Sequence, residues 1–106
     1  MELAFRTRDL RNTCEDAELA ASEFGPDVAA ALMHRLADLR AAVTVDDLVA
    51  GDPSSEGDVL VIRLDPTHAL ELSANHRKNP QTPDGRLDWA KVSRLRVVGV
   101  SRNASQ

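Results

Sequence analysis

Apolar positions recur with a period of two, then of three to four, then of two again, and these changes of period predict the elements. Leu3 and Phe5 alternate with Glu2 and Ala4, the pattern of a short strand. Thr7 then has the character of a helix N-cap, and Asp9 complements the positive end of the helix dipole. Leu10, Cys14, Ala17, Ala21 and Phe24 follow at three- and four-residue steps, one face of a single helix that Gly25 ends. Pro26 and Asp27 open a second helix, with Val28, Leu32, Leu36, Leu39 and Val43 as its apolar stripe. So short a connection predicts an αα-hairpin, and Ala29-Ala30-Ala31 leaves a slim surface for close packing. Thr44 and Asp47 have capping-box spacing and predict one helical turn over residues 45–50.

The polar run Gly-Asp-Pro-Ser-Ser-Glu-Gly, residues 51–57, reads as a flexible loop. Strands are predicted over 59–64 and 68–74, flanking a turn at Asp65-Pro66-Thr67 in which Pro66 presets the backbone. Leu60, Ile62 and Leu64 share one face and Leu70 with Leu72 another; Arg63 and Glu71 lie on the opposite faces, where they could pair across the sheet. A polar loop over 75–86 and a short turn containing Trp89, capped by Asp88, lead to a last strand over 91–100. Residues 102–106 read as a frayed tail. The order predicts an α+β fold: an N-terminal strand, a two-helix hairpin, then an antiparallel three-strand meander. The helices would cover one face of an antiparallel sheet and leave the other to water.

A chain of 106 residues is one domain's worth, so residues 1–106 are expected to form a single unit. Its 42% apolar and 28% charged residues are ordinary for a folded protein. Cys14 is the one cysteine and reads as a core thiol, which fits a reducing cytoplasm. No apolar run approaches the roughly 20 residues that span a bilayer, and residues 1–6 lack a signal-peptide layout. The expected compartment is the cytoplasm, with no membrane contact.

Net charge is −4, yet its distribution is uneven. Residues 1–62 hold 5 Lys/Arg against 13 Asp/Glu, and residues 63–106 hold 8 against 4, net values of −8 and +4. The second stretch is a candidate for facing a polyanion. His34, His68 and His76 have no metal-ligand spacing, and there is neither a Gly-x-Ser-x-Gly elbow nor a glycine-rich phosphate loop. No metal and no cofactor are therefore expected. Asn75, His76, Arg77 and Lys78 leave the second hairpin strand as a polar cluster, while Lys91, Arg94 and Arg96 come up along the last strand. Such a face could hold a phosphate backbone and assist attack by an RNA 2′-hydroxyl, with arginines stabilising phosphate charge and His76 moving a proton. Spacing alone fits a solvated basic face better. Aromatic residues are only Phe5, Phe24 and Trp89, too few for base-stacking platforms, and Trp89 is expected to fix its loop to the core.

The order of elements resembles the RelE/ParE toxin superfamily of bacterial toxin–antitoxin systems, and within it the HigB-like plasmid maintenance killer branch. The residues that carry this are Leu3-Ala-Phe-Arg-Thr-Arg-Asp-Leu-Arg11, His34-Arg-Leu-Ala-Asp-Leu39 with residues 46–51, and Ala74-Asn75-His76. The strongest segment is Gly85-Arg-Leu-Asp-Trp-Ala-Lys-Val-Ser-Arg94, similar to a Gly-x-x-Asp-Trp-x-x-Val-x-x signature before the last strand. The resemblance implies a toxin that inhibits translation by ribosome-dependent mRNA cleavage, neutralised by a helix-turn-helix antitoxin that alone contacts operator DNA. It also admits a catalytically weak protein that mainly binds its antitoxin, or a gyrase-directed inhibitor. It assigns His76, Arg94 and Arg96 to catalysis and Arg63, Arg77, Lys78 and Lys91 to RNA binding. Two positions depart from the pattern: His68 and Ala69 stand where relatives carry Tyr-Arg, and the tail lacks an aromatic or histidine.

Overall fold

The computed structural model describes residues 1–102. Strand β1 (Glu2–Phe5) precedes helices α1 (Arg8–Glu15), α2 (Ala17–Phe24) and α3 (Pro26–Ala41); β2 (Ser54–Glu56), β3 (Val59–Arg63), β4 (His68–Ala74) and β5 (Arg94–Arg102) follow. The sheet order is β1-β5-β4-β3-β2. The fold is α+β, as predicted, with the helices on one side of the sheet and the meander β3–β4–β5 antiparallel.

The first predicted helix is two. Thr7 caps α1 as expected, accepting from the Leu10 amide, but Asp16 interrupts the apolar stripe. Its backbone is extended at φ −131°, and its carboxylate accepts from the amides of Glu18 (2.9 Å) and Leu19 (3.2 Å). A side chain that satisfies two amides of a new first turn starts a new helix rather than continuing the old one. Ala20, not Ala17, is therefore the buried residue of α2. The break lets α2 fold back on α3, which buries Leu32, Leu36 and Leu39 completely. Val43 falls beyond the end of α3 and is 73% exposed, contrary to its place in the predicted stripe. The predicted turn over 45–50 is a shorter 3₁₀ turn, Val45–Asp47, with Asp47 accepting from the amides of Val43 and Thr44.

Three features of the sheet differ from expectation. β1 runs parallel to β5, pairing Glu2 with Arg94 and Ala4 with Arg96, so the sheet is mixed. Part of the expected loop 51–57 is the edge strand β2, which pairs Ser54 with Val61 and Glu56 with Val59. Gly57 and Asp58 make the two-residue hairpin turn between them. The last strand begins at Arg94 and reaches Arg102, so Lys91 lies outside it in a 3₁₀ turn, Trp89–Lys91. Residues 103–106 of the expected tail lie outside the described residues.

Leu60, Ile62, Leu70, Leu72, Leu95 and Val97 are buried under the helices. Truncating any one of them to alanine would cost about 2–5 kcal/mol through lost transfer energy and the cavity left behind. Within β5 the pairing passes from Glu71↔Gly99 to Leu72↔Val97, a bulge that leaves Val98 without a partner. Because one extra residue shifts the alternation, Val100 rather than Gly99 pairs with buried Leu70 beyond it, while Arg94 and Arg96 keep to the helix-free face. No helix is long and apolar enough to cross a membrane.

Candidate functional site

The helix-free face is where the predicted cations gather. Register places Arg63 across from Ala69, Glu71 across from Val61, and Ser73 across from Arg96. Ala4 and Glu2 of β1 extend the same rows beyond Arg96 and Arg94. The face is thus not uniformly basic: Glu2, Glu56 and Glu71 share it with Arg63, Arg94 and Arg96. Arg63 and Glu71, expected as a possible pair, form no ion pair; each lies diagonal to the other rather than opposite.

The cations divide into two groups. Arg94 Nε lies 2.7 Å from the Glu2 carboxylate, and Lys91 Nζ lies 3.9 Å from Asp88. Arg86 is paired with Asp84 at 3.4 Å. These are exposed pairs worth about 0–1 kcal/mol each, so they lower the local field more than they stabilise the fold. Arg63, Arg77, Lys78 and Arg96 have no ion-pair partner among the described residues. Arg96 opens into a cleft of about 360 Å³ lined also by Ser73, Asn79, Gln81 and Asp58. The cleft lies between the sheet and the loop that leaves β4, and exposed Arg77 and Lys78 belong to that loop.

His76 is part of what holds the loop in place. The Ser93 amide donates to its Nε2 at 3.0 Å, and its own amide donates to Asn79 Oδ1 at 3.0 Å. Nε2 is therefore an acceptor, which puts the proton of the neutral ring on Nδ1. The Asn75 amide donates to the Arg94 carbonyl (2.9 Å), a second stitch between loop and strand. Trp89 is half-buried and donates from Nε1 to the Gly57 carbonyl at 3.0 Å, fixing the 3₁₀ turn against the β2–β3 hairpin.

A second cleft, of about 430 Å³, lies at the other end of the same face, beside the β3–β4 turn. Arg63 and Ser101 line it together with Asp65 and His68, and carboxylates Asp52 and Glu56 are also at its wall. Asp65 Oδ1 accepts from the Thr67 amide (2.8 Å), the Thr67 hydroxyl (3.1 Å) and the His68 amide (2.6 Å), and meets His68 Nδ1 at 3.0 Å. Desolvation pushes the Asp65 carboxyl up, but these hydrogen bonds outweigh it and hold the group below its ordinary value. An ionised carboxylate only accepts, so His68 Nδ1 carries the proton in this contact. Sequence reasoning took 65–67 as a turn alone. The Asp-x-x-His spacing was the signal for the cluster, since an Asp side chain folds back onto residues two and three positions on.

Cys14 is buried, and desolvation pushes its thiol up to about 11, so it is protonated at neutral pH. Among the described residues, no three His, Cys, Asp or Glu side chains are grouped as a metal site. Set against protein-family models, curated proteins and solved structures, the chain matches none.

Proposed function

We propose that this chain is the toxin of a bacterial type II toxin–antitoxin pair, acting in the cytoplasm to inhibit translation by cutting mRNA on the ribosome. The helix-free sheet face is its RNA surface. The observation that carries this reading is the group of cations left unpaired there, Arg96 in its cleft with Arg77 and Lys78 on the adjoining loop and Arg63 at the far end. A cation without a carboxylate partner keeps its charge for a phosphate, and short-range attraction follows local potential rather than the net −4. Ser73, Asn79 and Gln81 add hydrogen-bonding groups beside Arg96. The order strand, helices, meander, with a long loop before the last strand, agrees with the same reading. A helix-turn-helix antitoxin is its partner, and operator DNA is reached only through that antitoxin.

The test is induction of the gene without its neighbour, with growth and mRNA 5′ ends followed together. Growth arrest with new 5′ ends at ribosome-occupied codons is expected, and Arg96→Glu is expected to lower cleavage about 100-fold, the scale of losing one charge-stabilising group. Normal growth with soluble protein would overturn the nuclease reading. A second reading then stands, a catalytically weak toxin fold that acts by binding its antitoxin. It is favoured by two engagements at the expected catalytic positions: His76 Nε2 is held by the Ser93 amide, and Arg94 is held by Glu2.

A further inference from the structure

Resting on the nuclease reading, we propose that His68 is the general base of the reaction and that the cleft it shares with Arg63 takes the RNA phosphodiester that is cut. Of the two imidazoles near the helix-free face, His76 has its acceptor nitrogen occupied by the Ser93 amide. His68 has the opposite arrangement. Its Nδ1 is held at 3.0 Å from Asp65 Oδ1 and 2.9 Å from the Thr67 hydroxyl, which fixes the ring and directs the lone pair to Nε2. No described residue bonds that Nε2, and it is not among the buried unpartnered side-chain atoms, so it is open to solvent. A carboxylate that orients an imidazole through one nitrogen and leaves the other free is the arrangement of a general base in many hydrolytic sites.

The surroundings supply the remaining parts. Arg63 lines the same cleft, has no ion-pair partner among the described residues, and is set in place by its amide donating to the Gly51 carbonyl at 2.6 Å. It can balance charge on a phosphate whose neighbouring ribose lies against His68. Ser101 adds a hydroxyl to the wall. Asp52 and Glu56 oppose a polyanion, so Glu56→Gln is expected to tighten RNA binding.

In the reaction, His68 Nε2 takes the proton of the 2′-hydroxyl and the 2′-oxygen bonds to phosphorus. The bond from phosphorus to the 5′-oxygen breaks, and that oxygen leaves as a hydroxyl with the proton returned from the imidazolium through water. The products are a 2′,3′-cyclic phosphate and a 5′-hydroxyl. Nothing is oxidised or reduced. Asp65 is a positioning residue, acting through the ring it holds.

The experiment compares mRNA cleavage in cells induced for the wild-type chain and for His68→Asn, His68→Gln and His34→Gln, with a thermal melt of each purified protein. Asparagine places an amide donor near the position of Nδ1, which preserves the contact to Asp65 while removing Nε2; His34 is exposed on α3 and controls for loss of an imidazole. His68→Asn and His68→Gln are expected to melt near wild type and to lose about 100-fold or more of the cleavage, the usual contribution of a positioned base. His34→Gln is expected to cut normally. Cleavage by either His68 variant within a few-fold of wild type would overturn the role of His68 and leave the nuclease reading intact. No cleavage by the wild-type chain would overturn both.

Discussion

Replacing Gly51 by alanine should destabilise the protein far more than the same change at Gly57, and the difference can be worked from the geometry. Both residues have positive φ, +84° and +60°, where a side chain costs about 1–2 kcal/mol. At Gly57 an added Cβ meets nothing within 4 Å, so that backbone cost is the whole effect. At Gly51 the Cβ would stand 2.4 Å from Ile62 Cγ2, 3.0 Å from the Arg63 carbonyl oxygen and 3.1 Å from Arg35 Cδ. Ile62 is fully buried and the carbonyl belongs to a strand, so neither gives way cheaply. Forcing an extra carbon into such a contact costs about 1–3 kcal/mol beyond the backbone cost. The expected loss for Gly51→Ala is therefore about 2–5 kcal/mol, against about 1–2 kcal/mol for Gly57→Ala. Urea denaturation at constant m measures both, and a thermal melt should place Gly51→Ala roughly 10–20 °C below wild type, at about 4–8 °C per kcal/mol. Equal losses for the two variants would refute the argument, because they would show that the close approach over Ile62 does not constrain the chain. The clash also bears on function, since the Gly51 carbonyl holds the Arg63 amide.

Two further outcomes follow from the titrating groups. Cys14, with its thiol raised to about 11 by burial, should resist a thiol reagent at pH 8 in the native protein and react fully in denaturant; rapid labelling without denaturant would show the α1 contact to be open. Asp65 is held below its ordinary value in the fold, so its stabilising contribution is present above the unfolded-state value of about 4 and is lost as pH falls through the lower folded value. Asp65→Asn should accordingly be less stable than wild type near pH 7, with the gap closing in acid; a gap that persists unchanged at pH 2 would mean that the charge on Asp65 contributes nothing to the turn.

The candidate site was legible as an inventory of residues and not as an arrangement. The basic second half of the chain and the alternation of Arg94 and Arg96 with Leu95 and Val97 could be read directly, because a strand's faces alternate by geometry. Which cations stay free could not. Arg94 is neutralised because parallel pairing sets Glu2 opposite it, a contact between the two ends of the chain. The roles of the two imidazoles were equally hidden: His76 meets an amide from the start of β5, while His68 meets a carboxylate three residues away in its own turn. The second of these was within reach of the sequence, since its partners are local.

The same division runs through the fold. Helix α3, the strands of the meander and their buried faces follow from the sequence alone, because periods of 3.6 and 2 are enforced by backbone geometry and by the cost of exposing apolar side chains. The helix break at Asp16 had a local signal, an Asp able to cap, that a continuous apolar spacing concealed. β2 has no apolar pattern at all, as Ser54, Ser55 and Glu56 are each exposed; it exists because its backbone pairs with β3 across a two-residue turn. The parallel docking of β1 on β5 and the bulge at Val98 belong to the tertiary structure, where burying Leu3, Phe5 and Val100 beside the helices selects one register among many that the local sequence permits equally.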